Sequence, residues 1–256
     1  MKMRALKIGA AALLGLGLGT GIAVASEGGH IEAQEWSFAG AFGTFDRASL
    51  QRGYQVYKEV CASCHSMKYL AYRNLQDIGF SEAEVKALAA QYEVAQIDDA
   101  GDEEMVPAKP SDHFHSPFPN DNAAKAANGG ALPPDLSLLA KAREGGPDYI
   151  YSVLVGYHEA PAGFTVPEGK YYNAAFPGNV IGMPKPISDD QVTYADETPA
   201  TVHQMAHDVS TFLMWAAEPK MEERKRAGVK VMGFLAILTI FSFLTYRKVR
   251  KAVHGH

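Results

Sequence analysis

The stretch "EVCASCHSMKYL", residues 59–70, holds Cys61, Cys64 and His65, and the 256-residue chain has no other cysteine. Two thiols two residues apart, with an imidazole directly after the second, admit three chemistries. A redox-active disulfide uses this spacing. Such pairs sit on a βαβ scaffold, however, and no strand–helix alternation surrounds this one. A zinc ion wants about four ligands. No second pair at metal spacing supplies them, and His113 and His115, in a Pro-rich stretch, read as surface histidines. Covalent attachment of haem is the third chemistry, and this five-residue pattern is its signature. The thiols add to the two vinyl groups, the short spacing matches their separation, and the next imidazole becomes an axial ligand of the iron.

A haem that carries electrons needs a sixth ligand, for which Met and His are the realistic choices. Met67 is too close to the motif to reach the opposite haem face. Met105 lies in an acidic stretch, and Met205 and Met214 lie on a helical pattern. Met183 sits in "GNVIGMPKPI" between Gly182 and Pro184, where prolines can hold a loop's path. Spacing favours Met183 as the ligand; the alternative is an apolar plug for the loop.

The ends of the chain bear on its compartment. Residues 1–25 read as an export signal: Lys2, Arg4 and Lys7, then an apolar small-residue run, then a cleavage pattern at Ala23-Val24-Ala25. The alternative is an uncleaved membrane anchor. A second apolar run, Val231 to Tyr246, has no charge over its 16 residues and is bracketed by basic clusters. With helical flanks it reaches the roughly 20 residues that cross a bilayer. The basic flanks nearly balance, so the export signal, not flank charge, orients the helix. The expected organisation is a signal (1–25), one exported haem domain (26–219), a basic flank with a transmembrane helix (220–246) and a cytoplasmic tail (247–256). The haem domain would lie on the periplasmic side of an inner membrane.

The formal net charge of −5 hides a partition. Residues 26–219 hold 12 basic and 27 acidic residues, a net charge of −15. Such a surface excludes nucleic acid as a partner and suits a basic protein partner met by electrostatic steering.

The elements read as mostly α with long loops. "FDRASLQRGYQVYKEV" predicts a helix capped by Asp46, with Leu50, Tyr54 and Tyr57 on one face, running into Cys61. Ser81 and Glu84 form a capping box before a face of Val85, Leu88 and Tyr92. Residues 93–104, with six acids and no base, read as a mobile loop or surface lobe. Residues 107–134 read as ordered loop, followed by a short helix after Pro134 and another starting near Pro147. Thr201 and Gln204 form a second capping box before a stripe of Val202, Met205, Val209, Phe212, Leu213 and Ala216, and Pro219 breaks that helix from the membrane segment.

Five blocks, in order, resemble the cytochrome c1 family, the haem subunits of the cytochrome bc1 complex. They are "QRGYQVYKEVCASCHSMKYLAYR", "AAKAANGGALPPDLSLLAKAREGGPDYIYSVLVGY", "YYNAAFPGNVIGMPKPI", "DDQVTYADETPATVHQMAHDVSTFLMWAAEP" and the basic "RKRAG" before one apolar helix. The resemblance implies a class I cytochrome c-like haem domain with one C-terminal transmembrane helix. It implies one haem c, covalently bound through Cys61 and Cys64, with His65 and Met183 as axial ligands. It places Arg143 and Tyr149 near the haem, Arg143 pairing with a propionate as a permanently charged fork does well. It also lines the crevice with residues 128–134, Asn128 and Pro133 among them.

The implied job is transfer of one electron from the Rieske iron–sulfur protein to a c-type cytochrome, beside cytochrome b, in a dimeric membrane complex. That complex is the enzyme ubiquinol–cytochrome c oxidoreductase, and no substrate bond is broken on this chain. The rivals are a membrane-anchored c-type cytochrome serving another respiratory enzyme, and a thiol oxidoreductase. Two departures from the family matter. Some relatives brace the Met loop with a disulfide, and here no cysteine is left for one. The run after the ligand is Pro184-Lys185-Pro186, which puts a cation beside it.

Overall fold

The computed structural model describes residues 29–254; the expected export signal lies outside the described residues. Helix α1 (Arg47–Glu59) begins where Asp46 accepts a hydrogen bond from the Ala48 amide at 3.2 Å. It buries Leu50, Tyr54 and Tyr57, as their spacing predicts. Its main partner is the later helix that carries the apolar stripe, described below.

A 3-10 turn over Cys61–Ser63 follows α1 directly, so the haem motif starts one residue past a rigid helix. A second 3-10 segment, Tyr72–Ile78, leads to α2 (Glu82–Ala89). The Ser81–Glu84 capping box is formed in both directions: Glu84 N donates to Ser81 Oγ at 3.2 Å and Ser81 N to Glu84 Oε2 at 2.7 Å.

The acidic stretch is an antiparallel hairpin, β1 (Glu93–Ile97) with β2 (Glu103–Pro107), so of the two readings it is a surface lobe rather than a loop. Asp98 closes the turn by accepting from Ala100 N at 2.9 Å and Asp102 N at 2.8 Å. Val94 and Val106 pair across the strands on the inward side, and Val94 packs on the core. These two local devices outweigh the poor strand propensity of the acids.

The stretch 107–134 is not all loop either: α3 (Asp121–Ala127) sits within it, capped by Asn120 accepting from Ala123 N at 3.0 Å. The expected short helices follow as α4 (Leu139–Ala142) and α5 (Pro147–Val155), the latter with Pro147 in its first turn. A two-residue ladder, β3 (Tyr171–Tyr172) with β4 (Val180–Ile181), then leads into the Met183 loop.

Helix α6 (Val202–Ala217) carries the stripe, and Met205, Val209, Phe212, Leu213 and Ala216 are buried. Thr201 accepts from Gln204 N at 3.1 Å, but the Gln204 amide turns away to Asp208 Oδ2 at 3.0 Å, so only half of the expected second box forms. Helices α1 and α6 touch at Gly53, where a Cβ would fall 2.1 Å from the Asp208 carbonyl oxygen. Only glycine allows that approach. Tyr54 and Tyr57 then meet Phe212 at centroid distances of 5.7 and 5.9 Å.

After the break at Pro219, α7 (Met221–His254) runs for 34 residues. At 1.5 Å per residue this is about 51 Å, well beyond a hydrocarbon core of about 30 Å. The helix is therefore longer than the apolar run at both ends. Its first turns pack on the domain, with Met221 buried and Lys225 Nζ donating to the Phe38 carbonyl at 2.6 Å. The helix continues past residue 247 to His254. Its best 18-residue window has a mean hydropathy of 2.0 with none of it covered by the rest of the chain, as a bilayer span requires.

Candidate haem site

The site is built on two walls. The first is the end of α1 and the turn that follows it, with Cys61 and Ala62 packed partly buried against the main core. The second is a separate small cluster of Val153, Ala175 and Ile181, against which Tyr149, Tyr157, Phe176 and Met183 pack. Tyr149 touches both clusters.

Cys61 and Cys64 are not bonded to each other. Burial pushes the Cys61 thiol up to about 12, with Cys64 beside it adding to the effect. Among the described residues no group of three or more His, Cys, Asp or Glu side chains gathers to hold a metal ion. His113 and His115 are exposed, His115 stacking on Tyr92 at 5.7 Å, in keeping with their reading as surface groups.

His65 is half-buried, and its Nδ1 lies 2.8 Å from the Pro134 carbonyl oxygen. A carbonyl only accepts, so Nδ1 carries the proton and Nε2 keeps its lone pair free. Burial lowers the His65 pKa, partly opposed by the Pro134 bond and by Asp135, which favours the neutral, ligating imidazole. The Pro134 carbonyl is itself held in place. Asp135 accepts from Ser66 Oγ at 2.7 Å, Lys68 N at 2.9 Å and Ser137 N at 2.9 Å.

The methionines separate cleanly. Met67 and Met205 are fully buried in the main core, Met214 packs partly buried against it, and Met105 is exposed on the hairpin. Met183 alone belongs to the second wall. Its carbonyl accepts from the Tyr157 hydroxyl at 3.0 Å. A single loop links the two candidate ligands: Pro134 reaches His65, while Ala131 lies where a Cβ on Gly182 would be 3.3 Å from it.

Asn128 spends its amide on the end of α3, donating to the Ala124 carbonyl at 2.7 Å. Gly129 and Gly130 follow with φ of +59° and +84°, a left-handed pair that shapes the loop. Pro133 is half-buried in that loop. Arg143 is exposed just past α4 and makes no ion pair among the described residues. Burial holds the Tyr149 hydroxyl above its ordinary value against the opposing pull of the neighbouring Arg143. Sequence reasoning left three polar positions unassigned: Asp135, Tyr157 and Asn173. Their only trace in the sequence was membership of the quoted blocks.

Residues 36–253 match the profile of the Cytochrome C1 family. The chain belongs to the cytochrome c1 family. It is 53% identical over 237 residues to the cytochrome c1 of Rhodospirillum rubrum, covering 86% of this chain and 87% of that protein. It is 50% identical over 220 residues to the mitochondrial cytochrome c1 haem protein of Saccharomyces cerevisiae, covering 85% of this chain and 71% of that one. Against the cytochrome b/c1 protein of Bradyrhizobium diazoefficiens the identity is 53% over 238 residues, 84% of this chain but 35% of that protein. The chain thus spans about a third of the length of that relative. As a member of that family it is an electron-transfer protein with one covalent haem c, and the residues present fit that group. The free thiol pair, the imidazole with one nitrogen committed, the thioether of the second cluster and the arginine without an ion pair are each a group that a haem would use.

Proposed function

We propose that Cys61 and Cys64 anchor the haem, that His65 through Nε2 and Met183 through its thioether are the axial ligands, and that Arg143 pairs with a propionate beside Tyr149. Each thiol would hold the group by adding its sulfur to one vinyl carbon and its hydrogen to the other, an addition that needs no oxidant. When bound, the haem supplies a one-electron couple at its iron. The chain sets the conditions for that couple. Pro134 fixes the tautomer of His65 and makes it a stronger donor. Met183 is the softer ligand, and His/Met ligation raises the potential over bis-His. The walls of Val153, Ala175, Ile181 and the α1 turn keep water from the centre. Asn128 and Pro133 hold the loop that closes the crevice.

The observation that carries this reading is the 2.8 Å bond from His65 Nδ1 to Pro134, which leaves one nitrogen and only one for a metal. The electron arrives from the Rieske iron–sulfur protein and leaves to a c-type cytochrome, on the periplasmic side of the membrane that α7 crosses. The chain works beside cytochrome b in a dimeric ubiquinol–cytochrome c oxidoreductase. Its match to a relative named cytochrome b/c1 supports that neighbour.

Two measurements test the ligand set. Haem staining after denaturing electrophoresis should give a band for the wild-type chain and lose it in a Cys61→Ala, Cys64→Ala double variant. Met183→Leu should keep the band and lower the midpoint potential; an unchanged potential removes Met183 as a ligand.

A further inference from the structure

The Met183 loop holds its place without a disulfide, and the structure shows how. Asn173 is fully buried and spends every polar atom of its side chain. Its Nδ2 donates to the Val153 carbonyl of α5 at 2.8 Å. Its Oδ1 accepts from Ala175 N at 3.0 Å and Phe176 N at 3.1 Å. The backbone around it is tied as firmly: Asn173 N donates to the Asn179 carbonyl at 3.0 Å and Ala174 N to the Gly156 carbonyl at 2.9 Å. Asn179, at a φ of +58°, turns its amide back onto the carbonyls of Asn173 and Ala174, both at 3.2 Å. This hub joins the C-terminal end of α5 to the β3–β4 turn that delivers Met183.

Tyr157 follows α5 by two residues and pairs as a bridge with Asn173. The hub therefore fixes where the Tyr157 ring stands. From there its hydroxyl reaches the Met183 carbonyl at 3.0 Å, and both residues pack against the small cluster of Val153, Ala175 and Ile181. No other side chain among the described residues bonds to the backbone of Met183. The N-terminal strap adds a second hold on the same turn. His30 N donates to the Ala174 carbonyl at 2.9 Å, and Gly29 lies so close that a Cβ there would be 2.1 Å from the Ala175 carbonyl.

We propose that Tyr157, seated by the buried Asn173 hub, is a positioning residue that keeps Met183 on the iron, in the role a disulfide plays elsewhere. This rests on the reading of Met183 as axial ligand. Two consequences follow. Detaching Met183 requires the Tyr157 bond to break or the hub to shift, so the ligand resists displacement. The hold also acts on the backbone next to the thioether, which leaves the side chain its own rotamers.

The test uses the full-length chain in its purified membrane complex, with imidazole as a competing ligand for the iron. Tyr157→Phe keeps the ring and removes only the hydroxyl. It should raise imidazole affinity about fivefold, the ratio expected when one net hydrogen bond is lost. It should also lower the midpoint potential and weaken the sulfur-to-iron charge-transfer band of the oxidised state, at unchanged haem content. Met183→Leu is the control: it should bind imidazole without competition. Unchanged imidazole affinity and an unchanged band in Tyr157→Phe, beside an altered Met183→Leu, overturn the positioning role. If Met183→Leu itself changes neither, the ligand assignment fails, and that result is distinct from the first.

Discussion

Asp208 and Arg52 meet in the seam between α6 and α1, Asp208 Oδ2 lying 2.8 Å from Arg52 Nε and Oδ1 3.1 Å from Nη2. The Asp208 side chain has no exposure at all. Its remaining capacity is filled by Ser49 Oγ at 2.6 Å and Gln204 Nε2 at 3.0 Å, and Asp196 takes Arg52 Nη1 at 2.7 Å. The helix that leads into the haem motif and its partner α6 are thus locked by charge as well as by Phe212.

Removing one partner of such a pair leaves a charge stranded in the core. Asp208→Ala should destabilise the folded chain by about 3–5 kcal/mol. The double variant Arg52→Met, Asp208→Leu should recover much of that loss, because no uncompensated charge remains. Thermal melting of the detergent-solubilised protein measures both. A double variant no better than the single would mean that the pair's geometry, not the stranded charge, dominates.

Asp135 stands next to the Pro134 carbonyl that meets His65, the proposed ligand. Its three bonds to Ser66, Lys68 and Ser137 pin the chain on both sides of the His65–Pro134 contact. Asp135→Ala should loosen the Pro134 carbonyl and weaken its bond to Nδ1. A less basic imidazole stabilises the oxidised iron less, so the midpoint potential should rise. Met183→Leu shifts it the opposite way. Redox titration of the two variants side by side separates the two faces of the haem.

The helices were legible because period and caps agreed: Leu50, Tyr54 and Tyr57 on α1, the stripe on α6 and the Ser81–Glu84 box all stand where their spacing put them. The hairpin at 93–107 was not, because Asp98 closes its turn through side-chain bonds that composition does not reveal. Gln204 was misread for a related reason: it could serve Thr201 or Asp208, and only the fold shows that the buried carboxylate takes it. At the haem site, Cys61, Cys64 and His65 carry a local pattern. Asn173, Tyr157 and Asp135 act across distances of 16 to 69 residues in the chain, where no local pattern reaches.

The joint between domain and membrane helix should respond to acid. Glu218 stands between α6 and α7 and pairs with Arg224 and Lys141. Its pKa is lowered chiefly by the Arg224 hydrogen bond, with burial opposing and Lys141 assisting. A carboxyl depressed on folding contributes stability that is present above its unfolded value, about 4.3. That stability is lost as pH falls through the folded value. Below about pH 4 the joint should therefore loosen. The pair is partly open to water, so the effect is on the order of 1 kcal/mol or less. Protection factors of the α7 N-terminal amides, corrected for the intrinsic pH dependence of exchange, should fall on acidification in the wild type. In Glu218→Gln they should be low at every pH. A wild-type profile that does not change between pH 6 and pH 3.5 (roughly, a span across the carboxylate range) would rule out this contribution.

The acidity of the domain sets the last expectation. Residues 26–219 carry a net charge of −15, and the exposed hairpin β1–β2 with its turn concentrates part of it at Glu93, Asp98, Asp99, Asp102, Glu103 and Glu104. A basic cytochrome c would be drawn in by this field over the screening length, about 10 Å at 0.1 M salt. Steering of this kind acts on the encounter rate more than on the final contact. The second-order rate at which the reduced complex passes electrons to a basic cytochrome c should therefore fall steeply as salt rises. Reversing the hairpin charges one at a time, Glu103→Lys and Glu104→Lys, shows whether that lobe takes part in the steering. If it does, the salt slope flattens in step with the charges removed; if the slope is unchanged, the field acts from another part of the surface. A rate independent of salt in the wild type would exclude electrostatic recruitment of the acceptor altogether.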